Sequence, residues 1–336
     1  LRFPTISPIY FRPYQNLRQL PPYSHPLISL LYSSIASYFT LIGHFDRYLN
    51  MSRYHFPSKV FLSAFLLLLV SFFSFSITNA QSWHTIKNPT AGKTEIFGSY
   101  ANGCFSGGVT IPIKGDGYEQ VRPSRNRHYG APSIAAFVES VGQLGQKNGR
   151  VIILGDIAQP RGGPANFGHA SHQTGLDIDI WLEDRSHHLS KNLSESLSTP
   201  SVTNPKTGVI NQHWKPFYRE LLHHAATYPE TERIFVNPVI KAELCRTETN
   251  TAWLEKLRPW YGHDSHFHVR LKCPAGASGC IAQAPIPKGS GCDQNLANWV
   301  NDQIKWTTAP PTKSTTPSKP APKKVLPLEC QAILHQ

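Results

Sequence analysis

An α+β fold is predicted for this chain: a small antiparallel sheet flanked by helices and by long disulfide-bonded loops. Three observations predict it. Two distant segments alternate in period two, Leu176, Ile178 and Ile180 against Asp177 and Asp179, then Phe267, Val269 and Leu271 against His266, His268 and Arg270. Such alternation marks a strand with one buried face. Apolar residues recur at helical spacing in residues 133–144 (Ile134, Phe137, Val138, Val141, Leu144) and 214–228 (Phe217, Leu221, Leu222, Ala225), as they do on the core-facing stripe of a helix. All six cysteines lie after residue 100, and none forms a Cys-x-x-Cys pair. In an exported chain that even count reads as three disulfides rather than a metal cluster.

Residues 1–50 are aromatic, proline-rich and aperiodic, and they precede Met51, the single methionine. They are read as a non-native upstream segment and contribute nothing to the predicted fold. Residues 51–80 have the parts of a secretory signal: Arg53 and Lys59, an apolar run over 60–77, and the small residues Thr78-Asn79-Ala80. Four serines dilute the run, which favours a cleaved signal over an anchor. No stable membrane span is then expected after cleavage, which would leave Gln81 first.

Residues 81–306 form the predicted catalytic domain. It opens with a connector, a Gly-rich turn at 103–108, a strand at 109–113 and an exposed loop at 122–130. Ser133 then caps a helix, and Val151 to Leu154 make a short buried strand. The loop 156–168 is rich in Pro and Gly and leads into the first alternating strand. Residues 183–211 are polar and Ser-rich, as a surface loop is. A helix at 214–228, a strand at 234–236, a helix entered through Pro238, a short helix at 251–257 and the His-rich strand follow. Residues 292–306 make a last helix. Residues 307–324 are a Pro/Thr/Ser/Lys-rich linker, too polar to order themselves. Residues 325–336 turn apolar again and form a C-terminal strap that Cys330 ties to the body.

Of the 33 basic and 21 acidic residues, six and one lie before position 81, which leaves 27 and 20 in the remainder. That basic excess lacks a Lys/Arg run beside stacking aromatics, so no nucleic-acid partner is expected. There is no Gly-x-Ser-x-Gly elbow, phosphate loop, dinucleotide fingerprint or His-Glu-x-x-His helix. The six cysteines allow fifteen pairings, and spacing favours only Cys273 with Cys280.

The chemistry lies in the two alternating strands and the loop before the first. His172, Asp179 and His268 offer two imidazoles and a carboxylate, the donor set of a catalytic zinc whose fourth position stays open for water. Zinc lowers the pKa of that water to about 7, and His266, on the same strand face as His268, is placed to move its proton. His169 and His263 stand next to this set, where they could support an oxyanion. Asp177 reads as an orienting carboxylate rather than a ligand. Arg270 and, from loops, Arg161 and Arg127 could meet a substrate carboxylate. Tyr261, Trp260 and Trp181 could line the cleft.

The segments Gly168-His169-Ala170-Ser171-His172-Gln173-Thr174-Gly175-Leu176-Asp177-Ile178-Asp179 and Tyr261-Gly262-His263-Asp264-Ser265-His266-Phe267-His268-Val269-Arg270-Leu271 closely resemble the penicillin-insensitive murein endopeptidases. So do Gln159-Pro160-Arg161-Gly162-Gly163, Arg233-Ile234-Phe235-Val236-Asn237-Pro238 and Leu326-Pro327-Leu328-Glu329-Cys330, and the resemblance spans roughly residues 83–334. These enzymes belong with lysostaphin-type peptidases, D-Ala-D-Ala carboxypeptidases and the hedgehog domain, whose shared pattern of His, six residues, Asp and a later His-x-His matches His172, Asp179, His266 and His268. The resemblance implies a periplasmic zinc peptidase that cleaves the D-alanyl-meso-diaminopimelyl cross-link of peptidoglycan by attack of zinc-bound water. It implies no acyl-enzyme serine for penicillin to trap. It also implies the pairs Cys104–Cys330, Cys245–Cys292 and Cys273–Cys280, and leaves room for a second metal at His169 and for a homodimer. The connector before Cys330 is longer than this resemblance requires. The rival readings are a D,D-carboxypeptidase acting on stem peptides and a non-catalytic zinc-bearing binding module.

Overall fold

The structure, a computed structural model, describes residues 82–310 and 324–336. The upstream segment 1–50, the signal 51–80 and most of the linker 307–324 lie outside the described residues. Within them the strands are β1 (Glu95–Ser99), β2 (Asn102–Ser106), β3 (Val109–Thr110), β4 (Lys114–Gly115), β5 (Tyr118–Gln120), β6 (Tyr129–Gly130), β7 (Val151–Leu154), β8 (Asp177–Arg185), β9 (Thr203–Asn204), β10 (Val209–Ile210), β11 (Thr231–Val236), β12 (Leu257–Pro259) and β13 (His266–Leu271). The helices are α1 (Pro132–Lys147), α2 (Lys191–Ser196), α3 (Pro216–Thr227), α4 (Pro238–Thr247), α5 (Gln294–Thr308) and α6 (Leu328–His335). The α+β class is as expected. No helix among the described residues is long and apolar enough to cross a membrane.

The main sheet runs β12-β11-β13-β8-β7-β5-β4. Its centre, β11-β13-β8-β7, is antiparallel, and the two predicted alternating strands are the adjacent pair β8 and β13. Parallel pairs, β11 with β12 and β5 with β7, extend the sheet to either side. These strands are three to six residues long.

One face of the sheet is covered. Ile178 and Ile180 of β8 and Phe267, Val269 and Leu271 of β13 are fully buried in one cluster with Ile134, Phe137, Val138 and Val141 of α1 and Leu221 and Leu222 of α3. Burying each such side chain contributes about 1.5–3 kcal/mol. Because side chains alternate across a strand, the same packing turns Asp177, Asp179, His266, His268 and Arg270 to the opposite face. The register pairs His268 with Asp179, Arg270 with Asp177 and His266 with Trp181.

Several segments differ from the sequence reading. The stretch expected as a connector and Gly-rich turn contains the hairpin β1-β2. Residues 122–130, expected as an exposed loop, bury Arg127 and Tyr129. Residues 183–211 are a surface excursion with structure of its own: β8 continues to Arg185, Ser190 caps the single turn of α2 by accepting from Leu193 N–H, and β9 pairs with β10.

Disulfides join Cys104 to Cys330, Cys245 to Cys292 and Cys273 to Cys280. The first fastens α6 against β2, where Ile333 and Leu334 pack with Trp83 and Ile86.

Candidate metal centre

The site begins with a strained residue. His172 has φ 64°, in the left-handed region, which costs an L-residue roughly 1–2 kcal/mol. Two hydrogen bonds offset that cost. Its backbone N–H donates to Asp177 Oδ2 (3.0 Å), and its Nδ1–H donates to the Ile157 carbonyl (2.6 Å). The loop before it turns tightly at Gly162 (φ 67°), where a Cβ would lie 1.9 Å from the Gln173 carbonyl oxygen.

A carbonyl only accepts, so the proton of neutral His172 is on Nδ1 and its Nε2 presents a lone pair. The same logic fixes His268. Its Nε2 lies 2.8 Å from Asp177 Oδ1, and burial would raise the Asp177 pKa but Arg270 and His268 hold it far below the usual carboxylate range. An ionised carboxylate only accepts, so neutral His268 carries its proton on Nε2 and turns the Nδ1 lone pair inward.

Three acceptors therefore converge. His172 Nε2 is 3.3 Å from Asp179 Oδ1, His268 Nδ1 is 3.2 Å from the same oxygen, and the two imidazole nitrogens are 3.1 Å apart. Asp179 Oδ1 is buried without a hydrogen-bond partner among the described residues. Burial would raise its pKa, but the surrounding histidines hold it well below the usual range, so the carboxylate is anionic. The three atoms lie close enough together that a cation could sit among them. Burial opposes a positive charge on His268, yet Asp177 and Asp179 raise its pKa above the ordinary value.

His169 completes a related cluster: His169, His172 and Asp179 each bring a ligand atom within 4.8 Å of the others and could hold a metal ion. His169 Nε2 is 3.3 Å from Asp179 Oδ2 and 3.3 Å from Asp156 Oδ2. Asp156, not singled out from the sequence, also accepts from Arg127 (2.7 Å) and Arg125 (3.1 Å). Burial pushes its pKa up, but His169 and the two arginines bring it down to about 2. Its one sequence signal was its place two residues beyond the buried run Val151–Leu154.

Asp156, His169, Asp179, Trp181 and His266 line a cleft of about 280 Å³. Burial lowers the pKa of His266, which favours its neutral imidazole at pH 7. His263 packs against it, the two rings tilted by 43° with centroids 4.9 Å apart. His263 Nδ1–H donates to the Tyr261 carbonyl (3.1 Å), so its Nε2 is an acceptor. Burial, His266 and His268 push its pKa down to about 3. Neutral His263 thus offers no N–H toward an oxyanion.

Arg270 and Arg161, expected to meet a substrate carboxylate, and Tyr261, expected to line the cleft, have internal partners. Arg270 is buried, donates through Nε to Asp177 Oδ1 (2.8 Å) and through Nη1 to Gln283 Oε1 (2.6 Å), and stacks over Tyr100. Arg161 donates to the Ile333 carbonyl (2.8 Å) in the last turn of α6. Tyr261 packs between Trp299 and Trp306, and its hydroxyl donates to the Trp299 carbonyl (3.3 Å). The i, i+2, i+4 spacing of His266, His268 and Arg270 gave a common face, but not how deep along it each side chain ends.

A sequence model of the family described as penicillin-insensitive murein endopeptidase matches residues 96–335. The chain is 39% identical to the penicillin-insensitive murein endopeptidase of Haemophilus influenzae over 284 residues, 83% of this chain and 96% of that protein. It is 37% identical to that of Klebsiella pneumoniae over 276 residues (81% and 97%), and 36% identical to that of Salmonella newport over 274 residues (81% and 97%).

Proposed function

The chain belongs to the penicillin-insensitive murein endopeptidase family, and on that premise we propose that it is a periplasmic zinc peptidase hydrolysing the D-alanyl-meso-diaminopimelyl cross-link of peptidoglycan. The observation that carries the metal part of this reading is the triangle of His172 Nε2, Asp179 Oδ1 and His268 Nδ1, with sides of 3.1–3.3 Å. A tetrahedral zinc with ligands at about 2.0 Å spans edges of about 3.3 Å, and imidazole with carboxylate is a donor set that suits it. Bound there, zinc supplies Lewis acidity, polarising a carbonyl and acidifying water at neutral pH.

The chain's own residues do the rest. Asp177 and the Ile157 carbonyl hold the two imidazoles in the tautomers that aim lone pairs inward. His266, neutral and lining the cleft, takes the proton from water and returns it to the leaving amine. The acceptor Nε2 of His263 suits it to support His266 or a water, and His169 is the remaining imidazole for an oxyanion or a second metal. No serine or cysteine nucleophile is invoked, and all six cysteines are in disulfides.

The test is digestion of purified cross-linked muropeptides by residues 81–336, read by mass, with chelator, with zinc restored and with penicillin. Dimers should become monomers, metal-dependently and without penicillin inhibition; His266→Ala should keep its metal and lose turnover by about 10²–10⁴. Release of terminal D-alanine alone would mean a carboxypeptidase. A zinc-loaded protein that cleaves nothing would be a binding module.

A further inference from the structure

With Arg270 and Arg161 committed to internal partners, the cleft still presents cationic side chains of its own. Arg122 and Arg125 line it together with Trp181, Thr199, Asp179 and His266. Arg125 is paired to Asp156. Arg122 differs: among the described residues it has no carboxylate within ion-pair distance, and it makes one long hydrogen bond, from Nη2 to the Leu197 carbonyl (3.3 Å). Its guanidinium carbon lies 5.0 Å from the Trp181 ring centroid, within cation–π range.

Two further observations say that this position is built for a ligand. Arg122 has φ 57° and Asn126 φ 54°, so the short turn Pro123–Arg125 is held between two left-handed residues. The Arg122 N–H is anchored to the Ser194 carbonyl (2.9 Å) of α2. In the same wall Thr199 Oγ1 is buried with no hydrogen-bond partner among the described residues, although buried hydroxyls are ordinarily satisfied. A half-buried guanidinium and an unsatisfied hydroxyl on residues that line one cleft are complementary to a carboxylate.

We propose that Arg122, with Thr199, is the specificity site for a carboxylate on the carbon that bears the scissile nitrogen. This rests on the peptidase reading above. Substrates of that class carry such a group either on the D-centre of diaminopimelate or on a terminal D-alanine, and the chemistry recognised is the same. The surface excursion between β8 and α3 thus supplies half of a substrate pocket, since Ser194 anchors Arg122 and Thr199 belongs to it.

The test compares zinc-loaded wild type, Arg122→Gln and Arg122→Lys on a cross-linked dimer whose D-centre carboxylate is free or converted to the carboxamide. A parallel arm uses a pentapeptide ending in D-alanyl-D-alanine. Wild type should favour the free carboxylate by roughly ten- to a hundredfold in KM, the range of a charge-assisted hydrogen bond. Arg122→Gln should collapse that ratio toward one, and Arg122→Lys should keep part of it. A ratio unchanged in Arg122→Gln, or an equal fall on both substrates, overturns the assignment. If the glutamine variant fails to fold, the lysine variant decides, a reduced ratio supporting and an unchanged ratio overturning. Arginine dependence of dimer cleavage points to the diaminopimelate carboxylate, and of pentapeptide trimming to that of terminal D-alanine. Wild type that cleaves neither substrate sinks the peptidase reading and this proposal together, whereas cleavage with an unchanged ratio sinks only the arginine.

Discussion

Asp177 receives the backbone N–H of His172, Nε2–H of His268 and the guanidinium of Arg270. It touches no inward lone pair itself, yet it sets the tautomer of one proposed ligand and the strained backbone of another. Asp177→Asn removes the charge while keeping the shape, and should weaken zinc affinity by about 10–100-fold. Chelator competition measures this, and an unchanged far-UV spectrum shows that the fold survived. Sequence pattern put Asp177 and Asp179 on one face, and the structure gives them different cross-strand partners: Asp179 lies opposite His268, and Asp177 opposite Arg270.

Helix α4 carries a fully buried lysine. Lys241 Nζ donates to the Leu257 carbonyl (2.7 Å) at the start of β12, and burial and then Arg258 lower its pKa to about 8. An unfolded lysine titrates near 10.4, so between pH 8 and about 10.4 the unfolded chain binds more protons at this position and its contribution to stability rises with pH. Below pH 8 the lysine is charged in both states and the burial penalty is fully present. Lys241→Met should therefore gain most over wild type at neutral pH, with the difference shrinking as pH rises from 8 to 10. Denaturant unfolding of both proteins at matched pH measures it, and a difference flat in pH would contradict it. Pro238 at an early position gave a helix here, but not that its lysine would point inward.

The Cys104–Cys330 bridge spans 226 residues and holds α6 to the body. Arg161 donates to the last carbonyls of the same helix and also to Asn88, so the strap, the β1-β2 hairpin and the loop leading to His169 share one cluster. Replacing both cysteines by alanine should cost about 2–5 kcal/mol, since long loops lose most when their cross-link goes. Chemical unfolding gives the size, and proteolysis confined at first to residues after 310 would show that the strap opens before the sheet. An even count of cysteines announced bridges, but which cysteines meet depended on where the chain ends converge.

Sequence by itself determined the α+β class and the two alternating strands, and it singled out His172, Asp179, His266 and His268 as the residues of the proposed site. Period two and helical spacing are local consequences of burying one face, and donor types are written in the residues themselves. Only tertiary structure decided that His172 and His268 aim lone pairs at one carboxylate oxygen, because that depends on hydrogen bonds to Ile157 and Asp177 from other parts of the chain. It also decided that Arg270 and Arg161 are consumed internally while Arg122 is left in the cleft wall. A guanidinium's duty is set by which acceptors reach it in three dimensions, and spacing along the chain carries no record of that.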